Sequence, residues 1–320
     1  MFRVQLRLVF CLATAMGLWS GQVKAQQDPL YTQYYFNRVL VNPAYAGMEQ
    51  AVNISAAYRE SHSGFEGAPN TQALTVHAPI QKQYMGVGAR FTRDNISVHD
   101  WYTFHALYDY QLGLGGGRLS LGLEAGIVSY SADYQGLRTS ARSNGQVDAA
   151  IPEGQPSIIV PDFSFGLYFD EGENFVGLAA YHLNQPELSL EDVASAEDRA
   201  AYARHYYLMA GTGLPLNDQI MLEPSVYARF VSGADVLADI NLMAQYKELV
   251  GLGAAYRTNQ VLALMIRGQV TERIGLGYSY DMFNGGAAYD LGASHEVMLR
   301  YRIPLEEPAR QKIIDPRYYY

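Results

Sequence analysis

The chain has 320 residues, 49% of them hydrophobic and 17% charged, with a formal net charge of −9. Of its 23 basic residues, Arg3, Arg7 and Lys24 fall in a predicted export signal; the remaining 20 face 32 acidic residues, a net of −12 that argues against nucleic-acid binding. The single cysteine, Cys11, lies in the same signal, so the mature chain has neither a disulfide framework nor a thiolate metal site.

Residues 1–25 read as a signal peptide. Arg3 and Arg7 form a charged start, residues 8–18 an apolar run, and Val23-Lys24-Ala25 a small-residue cleavage site. The run is short for a membrane anchor. Phe10 precedes Cys11 and the apolar stretch continues past it, which argues against lipid attachment there.

Residues 26–51 form a separate N-terminal segment. It lacks alternation and is dense in aromatics, from Gln27 through Tyr31, Tyr34, Tyr35 and Phe36 to Asn37, and again from Val41 to Gly47. Its plainest role is to pack on the periplasmic rim or into a lumen; the sharper one is to dock a periplasmic partner.

From 52 to 303 a two-residue period dominates. Leu119, Leu121, Leu123, Ala125 and Ile127 alternate with Ser120, Gly122, Glu124 and Gly126. Such alternation gives a strand one oily face and one wet face. The strand segments are 52–59, 72–79, 85–93, 98–111, 118–130, 163–170, 174–183, 204–214, 219–231, 234–246, 249–257, 260–269, 273–281 and 294–303. Many reach the length of about 9–11 residues that a tilted strand needs to cross a bilayer. No stretch after the signal has about 18 consecutive apolar residues, so no transmembrane helix is expected. The fold class is therefore all-β, a transmembrane outer-membrane β-barrel of about 14 antiparallel strands behind a signal peptide. The main alternative is a tyrosine-rich β-sandwich.

Connection lengths test the barrel independently. Bacterial barrels have short periplasmic turns and longer external loops. With the N-terminus in the periplasm, the connections 80–84, 112–117, 171–173, 215–218, 247–248 and 270–272 fall on the periplasmic side, and all are short. The longest, 131–162, 184–203 and 282–293, fall on the other side, as does 60–71. A soluble sandwich has no reason to segregate its loops this way. The remaining residues, 304–320, form a periplasmic tail ending Tyr318-Tyr319-Tyr320, a second candidate contact site.

Face assignment places Arg59, Arg90, Arg229, Arg267, Arg300 and Arg302 in the lumen with Asp109, Glu124, Asp170, Glu223, Asp235, Asp239, Asp281 and Glu296. An Arg facing lipid at mid-bilayer costs roughly 2–4 kcal/mol, which drives this choice. A selective pore shows one dominant sign at its constriction. The mixed set can pair and close the lumen, so a filled barrel is expected rather than an open porin. Glycines recur on one face at Gly86 and Gly88, Gly251 and Gly253, and Gly275 and Gly277. No helix pattern follows them, as a phosphate loop would need; small residues that leave room in a crowded lumen explain them better. The 26 tyrosines suit membrane interfaces.

No catalytic constellation emerges. The seven histidines are scattered, none at helical metal-ligand spacing. Ser294 and Glu296 share a strand face while His295 points away, so the three cannot form a triad. His105 and Asp109 lie about 13 Å apart along one strand, too far to pair. The acidic stretch 187–198 reads as a solvated loop, with a calcium site as the alternative. No enzyme activity and no cofactor are expected.

The N-terminal segment closely resembles the opening of the PorP/SprF family of type IX secretion membrane proteins. The residues are Asp28 and Pro29 after Gln27, then Gln33, Phe36 and Asn37, then Asn42-Pro43-Ala44-Tyr45-Ala46-Gly47. The far end is similar too, with Gly277-Tyr278-Ser279-Tyr280-Asp281 and Ser294-His295-Glu296, and Leu222-Glu223-Pro224-Ser225 resembles the family's middle. The resemblance implies a non-enzymatic barrel in outer-membrane lipid, working with the type IX secretion and gliding machinery. Its implied partners are a secreted surface protein or adhesin with a C-terminal signal domain, and periplasmic secretion components. The rival function is a channel or small-solute transporter.

Overall fold

The structure is a computed structural model describing residues 28–64, 67–80, 84–134, 156–188, 202–247, 249–284 and 292–305. The predicted signal peptide, most of the tail, most of the acidic stretch and the centre of the longest connection lie outside the described residues.

The strands are β1 (Ala51–Glu60), β2 (Asn70–Ile80), β3 (Met85–Ile96), β4 (His99–Leu114), β5 (Gly117–Ala132), β6 (Ser157–Glu171), β7 (Asn174–Tyr181), β8 (His205–Gly211), β9 (Leu214–Asn217), β10 (Ile220–Val231), β11 (Leu237–Tyr246), β12 (Val250–Arg257), β13 (Val261–Gln269), β14 (Ile274–Phe283) and β15 (Ser294–Pro304). Each pairs antiparallel with its neighbour, and β1 pairs with β15 from Ala51↔Pro304 to Glu60↔His295, so the sheet closes on itself. β8 and β9 both pair with β10 and share one position in the wall, which makes a 14-stranded barrel.

The faces are inverted relative to a soluble protein. Leu74, Phe104, Leu123, Ile240, Leu252, Leu264 and Leu299 are exposed on the outside, while Asn53, Thr75, His105, Asp109, Glu124, Asp239 and Glu296 are buried inside. An apolar exterior around a polar interior is the arrangement that lipid requires. Loop parity holds as well. The connections 81–84, 115–116, 172–173, 218–219, 247–249 and 270–273 are all on one end, and 133–156, 182–204 and 284–293 are on the other. We call the short-turn end periplasmic and the other end outer.

Four differences from the sequence reading have physical causes. β6 starts at Ser157 rather than 163, because its outer part is apolar on both faces: Ile158 and Val160 pack inward on a cluster of Trp101, Val128, Leu188 and Tyr202. The segment 204–214 is broken after Gly211, where the Gly213 amide turns across to the Glu173 carbonyl at 3.1 Å. Asp235 is exposed in the connection before β11, outside the lumen. The tyrosines divide between two places: Tyr58, Tyr108, Tyr206 and Tyr246 face outward, but Tyr34, Tyr168, Tyr181, Tyr207 and Tyr227 are buried inside.

Candidate functional site

The interior is filled by residues 28–50, which run from the outer end of the lumen to the periplasmic end and there enter β1. Of the two roles considered for this segment, packing into the lumen is the one observed. Two short 3-10 turns, Arg38–Leu40 and Pro43–Tyr45, shape it.

Its first half is held by charge. Glu296 on β15 accepts the amides of Thr32 at 2.8 Å and Gln33 at 2.9 Å, and Gln33 Nε2 donates back to the Glu296 carbonyl at 3.3 Å. The Thr32 hydroxyl donates to Asp281 on β14 at 2.7 Å and accepts from Arg59 at 3.0 Å. Arg59 spans Asp281 at 2.8 Å and Glu296 at 3.1 Å, and Arg257 joins Asp239 at 2.7 Å. The two ends of the chain that carry the sequence resemblance thus meet in one buried network. Opposite charges pair elsewhere too, Arg90 with Glu124, Arg267 with Glu223 and Arg118 with Asp170. The barrel is filled, as expected, but by the segment rather than by charge pairs across the lumen; the opposite charges pair along the wall and onto the segment.

The outermost anchor is Asp28. Its carboxylate meets His182 Nε2 at 2.8 Å and the Tyr207 hydroxyl at 2.9 Å, while Arg229 donates to its carbonyl at 2.8 Å. Pro29 follows in the wall of the same small cavity.

The second half is held by shape. Asn42 accepts the Ala44 amide at 3.0 Å, capping the turn, and donates to the Leu167 carbonyl at 2.9 Å. Asn37 donates to the Thr75 hydroxyl at 2.9 Å. Wall glycines make the room. A Cβ at Gly122 would lie 2.2 Å from the Ala44 nitrogen, one at Gly166 2.2 Å from Asn42 Oδ1, and one at Gly86 2.2 Å from Gly47 Cα. Pro43 and Ala44 are therefore seated directly on backbone. The glycine pattern read in the sequence serves the segment at Gly86, Gly275 and Gly277, where Gly277 faces Gln33 and Gly275 faces Phe36; Gly88, Gly251 and Gly253 instead abut side chains of neighbouring strands.

Arg38 sits between these halves. Its guanidinium lies 4.2 Å from the ring centres of both Tyr35 and Phe175 and donates to the Tyr168 hydroxyl. Below it, a vestibule of about 900 Å³ opens at the periplasmic mouth, lined by Tyr35, Phe36, Tyr45, Arg267, Arg300 and Arg302 among others. Tyr45 donates to Glu49 at 3.2 Å, and Arg300 stacks on Phe36 at 4.7 Å.

The remaining residues singled out by sequence separate by face. Ser294 is buried and accepts the His62 amide at 3.1 Å, whereas Tyr278, Tyr280 and His295 point outward, with the Tyr278 hydroxyl 2.8 Å from His295 Nδ1. Ser294 and Glu296 thus share the inner face while His295 points away, as strand geometry requires. Sequence reasoning missed a cluster of His105, Asp162, His182 and His205 around Asp28. Only the inward parity of His105 hinted at it, and His105 pairs with Asp162 at 3.0 Å, not with Asp109.

Residues 23–301 match the family described as type IX secretion system membrane protein PorP/SprF. No curated protein matches the chain. Among solved structures, a deltaS2S3 mutant of the monoaromatic hydrocarbon channel TodX has a TM-score of 0.50 at 9% identity, over 83% of this chain and 94% of that one. The CymD monoaromatic hydrocarbon channel scores 0.49 at 12% identity, over 83% and 92%. A Pseudomonas aeruginosa FadL homologue scores 0.48 at 11%, over 87% and 95%. At these identities the likeness is one of fold.

Proposed function

This outer-membrane barrel belongs to the PorP/SprF family of type IX secretion system membrane proteins, and from that premise we propose that it assists export or surface attachment of a secreted protein by binding it. The observation that carries this reading is the occupied lumen. A segment held by the Glu296–Arg59–Asp281 network at one end and by wall glycines at the other leaves the two rims as the working surfaces. On the periplasmic side the vestibule offers Tyr35, Phe36 and Tyr45 beside Arg267, Arg300 and Arg302, whose charge Glu223 and Glu49 partly balance, a mixture of rings and both charges that suits a periplasmic secretion component. On the outer side the long connections 133–156 and 182–204 are the surfaces for the C-terminal signal domain of a secreted adhesin. The proposed mechanism is recognition, without a catalytic step.

The test removes residues 143–155, which spares β6, and measures how much adhesin remains at the cell surface. Loss of retention at normal barrel levels supports the outer rim as the binding surface; unchanged retention removes that connection from the mechanism. Conductance of the purified barrel in planar bilayers separates the rival reading. Steady large openings would favour a channel for small solutes.

A further inference from the structure

Three ligand-bearing groups converge where the N-terminal segment begins. Asp28 contributes a carboxylate, His182 just beyond β7 an imidazole, and His205 at the start of β8 another; their donor atoms all lie within 4.8 Å of one another. His182 and His205 are buried, at 4% and 0% exposure.

Both imidazoles meet Asp28, one at its carboxylate and one at its amide. His205 Nδ1 lies 3.0 Å from the Ala203 carbonyl, and a carbonyl only accepts, so Nδ1 carries the proton and Nε2 presents a lone pair toward Asp28, whose amide it meets at 3.2 Å. His182 Nδ1 lies 3.0 Å from Asp162 Oδ2, and its Nε2 is the atom facing Asp28 Oδ1. His182 thus aims its Nε2 at the Asp28 carboxylate, while His205 gives its Nε2 lone pair to the Asp28 amide and approaches the carboxylate to 3.9 Å through Nδ1. Carboxylate- or carbonyl-backed histidines are how proteins orient imidazoles toward a metal ion.

Two further observations point to a ligand. A cavity of about 40 Å³ adjoins the cluster, lined by Asp28, His182, Tyr181 and Tyr207, and is large enough for an ion or a water molecule. The Tyr181 hydroxyl in its wall is 1% exposed and has no hydrogen-bond partner among the described residues. Asp28, Asp94, Glu124 and Asp162 lie in or beside the cluster, together with Arg90 and Arg229.

We propose that Asp28, His182 and His205 form a binding site for a divalent transition-metal ion, Zn²⁺ being the species the two-imidazole, one-carboxylate donor set suits best. Zn²⁺ takes the place of the proton between His182 Nε2 and Asp28 Oδ1, that proton leaves to solvent, and the Asp28 amide gives up the His205 Nε2 lone pair to the ion. Tetrahedral coordination brings the donor atoms to about 3.3 Å from one another, a closure of at most about 1.5 Å for the widest pair. The Tyr207 hydroxyl or a cavity water completes the shell. The ion would clamp the segment at Asp28 to the connection after β7 and to the start of β8. This site is independent of the rim-binding reading above.

The test uses the full mature barrel in detergent, without a histidine tag and stripped with a chelator. Zinc titration followed by calorimetry is expected to give one ion per chain, and Co²⁺ in its place the visible absorption of a four-coordinate nitrogen–oxygen site. His205→Ala and His182→Ala are expected to abolish stoichiometric uptake, and Asp162→Asn to weaken it about 10–100-fold; His105→Ala, outside the donor set, should leave one ion bound. Folding of each variant is checked by its heat-dependent gel mobility. The Co²⁺ spectrum of the unaltered protein stands even where a variant does not fold. Absence of uptake by the unaltered barrel, or uptake that persists in folded His182→Ala and His205→Ala, overturns the proposal.

Discussion

The two halves of the lumen segment are held by opposite means. Residues 28–37 are gripped mainly by buried ion pairs and charge-assisted hydrogen bonds from β1, β14 and β15, together with Asp28 against His182. Residues 38–47 are hydrogen-bonded to the wall at Arg38 and Asn42 but are seated chiefly by contour, with Pro43, Ala44 and Gly47 pressed onto glycines of β3, β5 and β6. The difference teaches where specificity resides. Buried charge pairs contribute little net stability, because desolvation offsets much of the attraction, but they penalise a wrong register severely. Close packing supplies dispersion contacts and tolerates little change in volume. The first half therefore sets the register and the second half the fit.

The comparison breaks most sharply at Glu296. Glu296→Ala leaves two segment amides without their acceptor and Arg59 with one of its two carboxylates, and a loss of about 3–5 kcal/mol is expected, read as a lower midpoint of thermal unfolding in detergent. A smaller loss, of about 1–3 kcal/mol, is expected from Gly122→Ala, whose new methyl cannot coexist with the Ala44 backbone. The two variants should differ in place as well as size. A thiol introduced at Ala46, a fully buried position, should become reactive in Gly122→Ala and stay protected in Glu296→Ala if the halves are held separately. Labelling in both would show that the segment leaves as one piece. The smallest effect belongs to the outward face. Tyr278→Phe removes one exposed hydrogen bond to His295 and should change the midpoint by no more than about 0.5 kcal/mol.

Strand positions were legible because lipid outside and polar groups inside impose the two-residue period on most of the wall. Where that contrast fails, so does the reading. The outer part of β6 is apolar on both faces, since Ile158 and Val160 meet an aromatic cluster instead of a wet lumen. Asp235 obeyed the period by chance, beyond the true start of β11. The lock between Thr32 and Glu296 was visible only as two separate motifs, because nothing local says that residues 264 positions apart share a hydrogen bond. The histidine cluster was harder still. His182 and His205 lie near strand ends, 154 and 177 positions from Asp28, and only ring closure and the course of the segment bring them together. Glycines on the wet face told that room was needed, without telling what would fill it.

The Glu296–Asp281 lock also orders events during assembly. Both acids sit on the last hairpin, β14–β15, and β15 is the strand that meets β1 to seal the seam. Contacts so distant in sequence form late, since chain entropy must be overcome before they return any energy. A barrel still lacking its final hairpin offers the first half of the segment neither carboxylate of the lock. Thr32 and Gln33 can therefore engage fully only when the wall around them is complete.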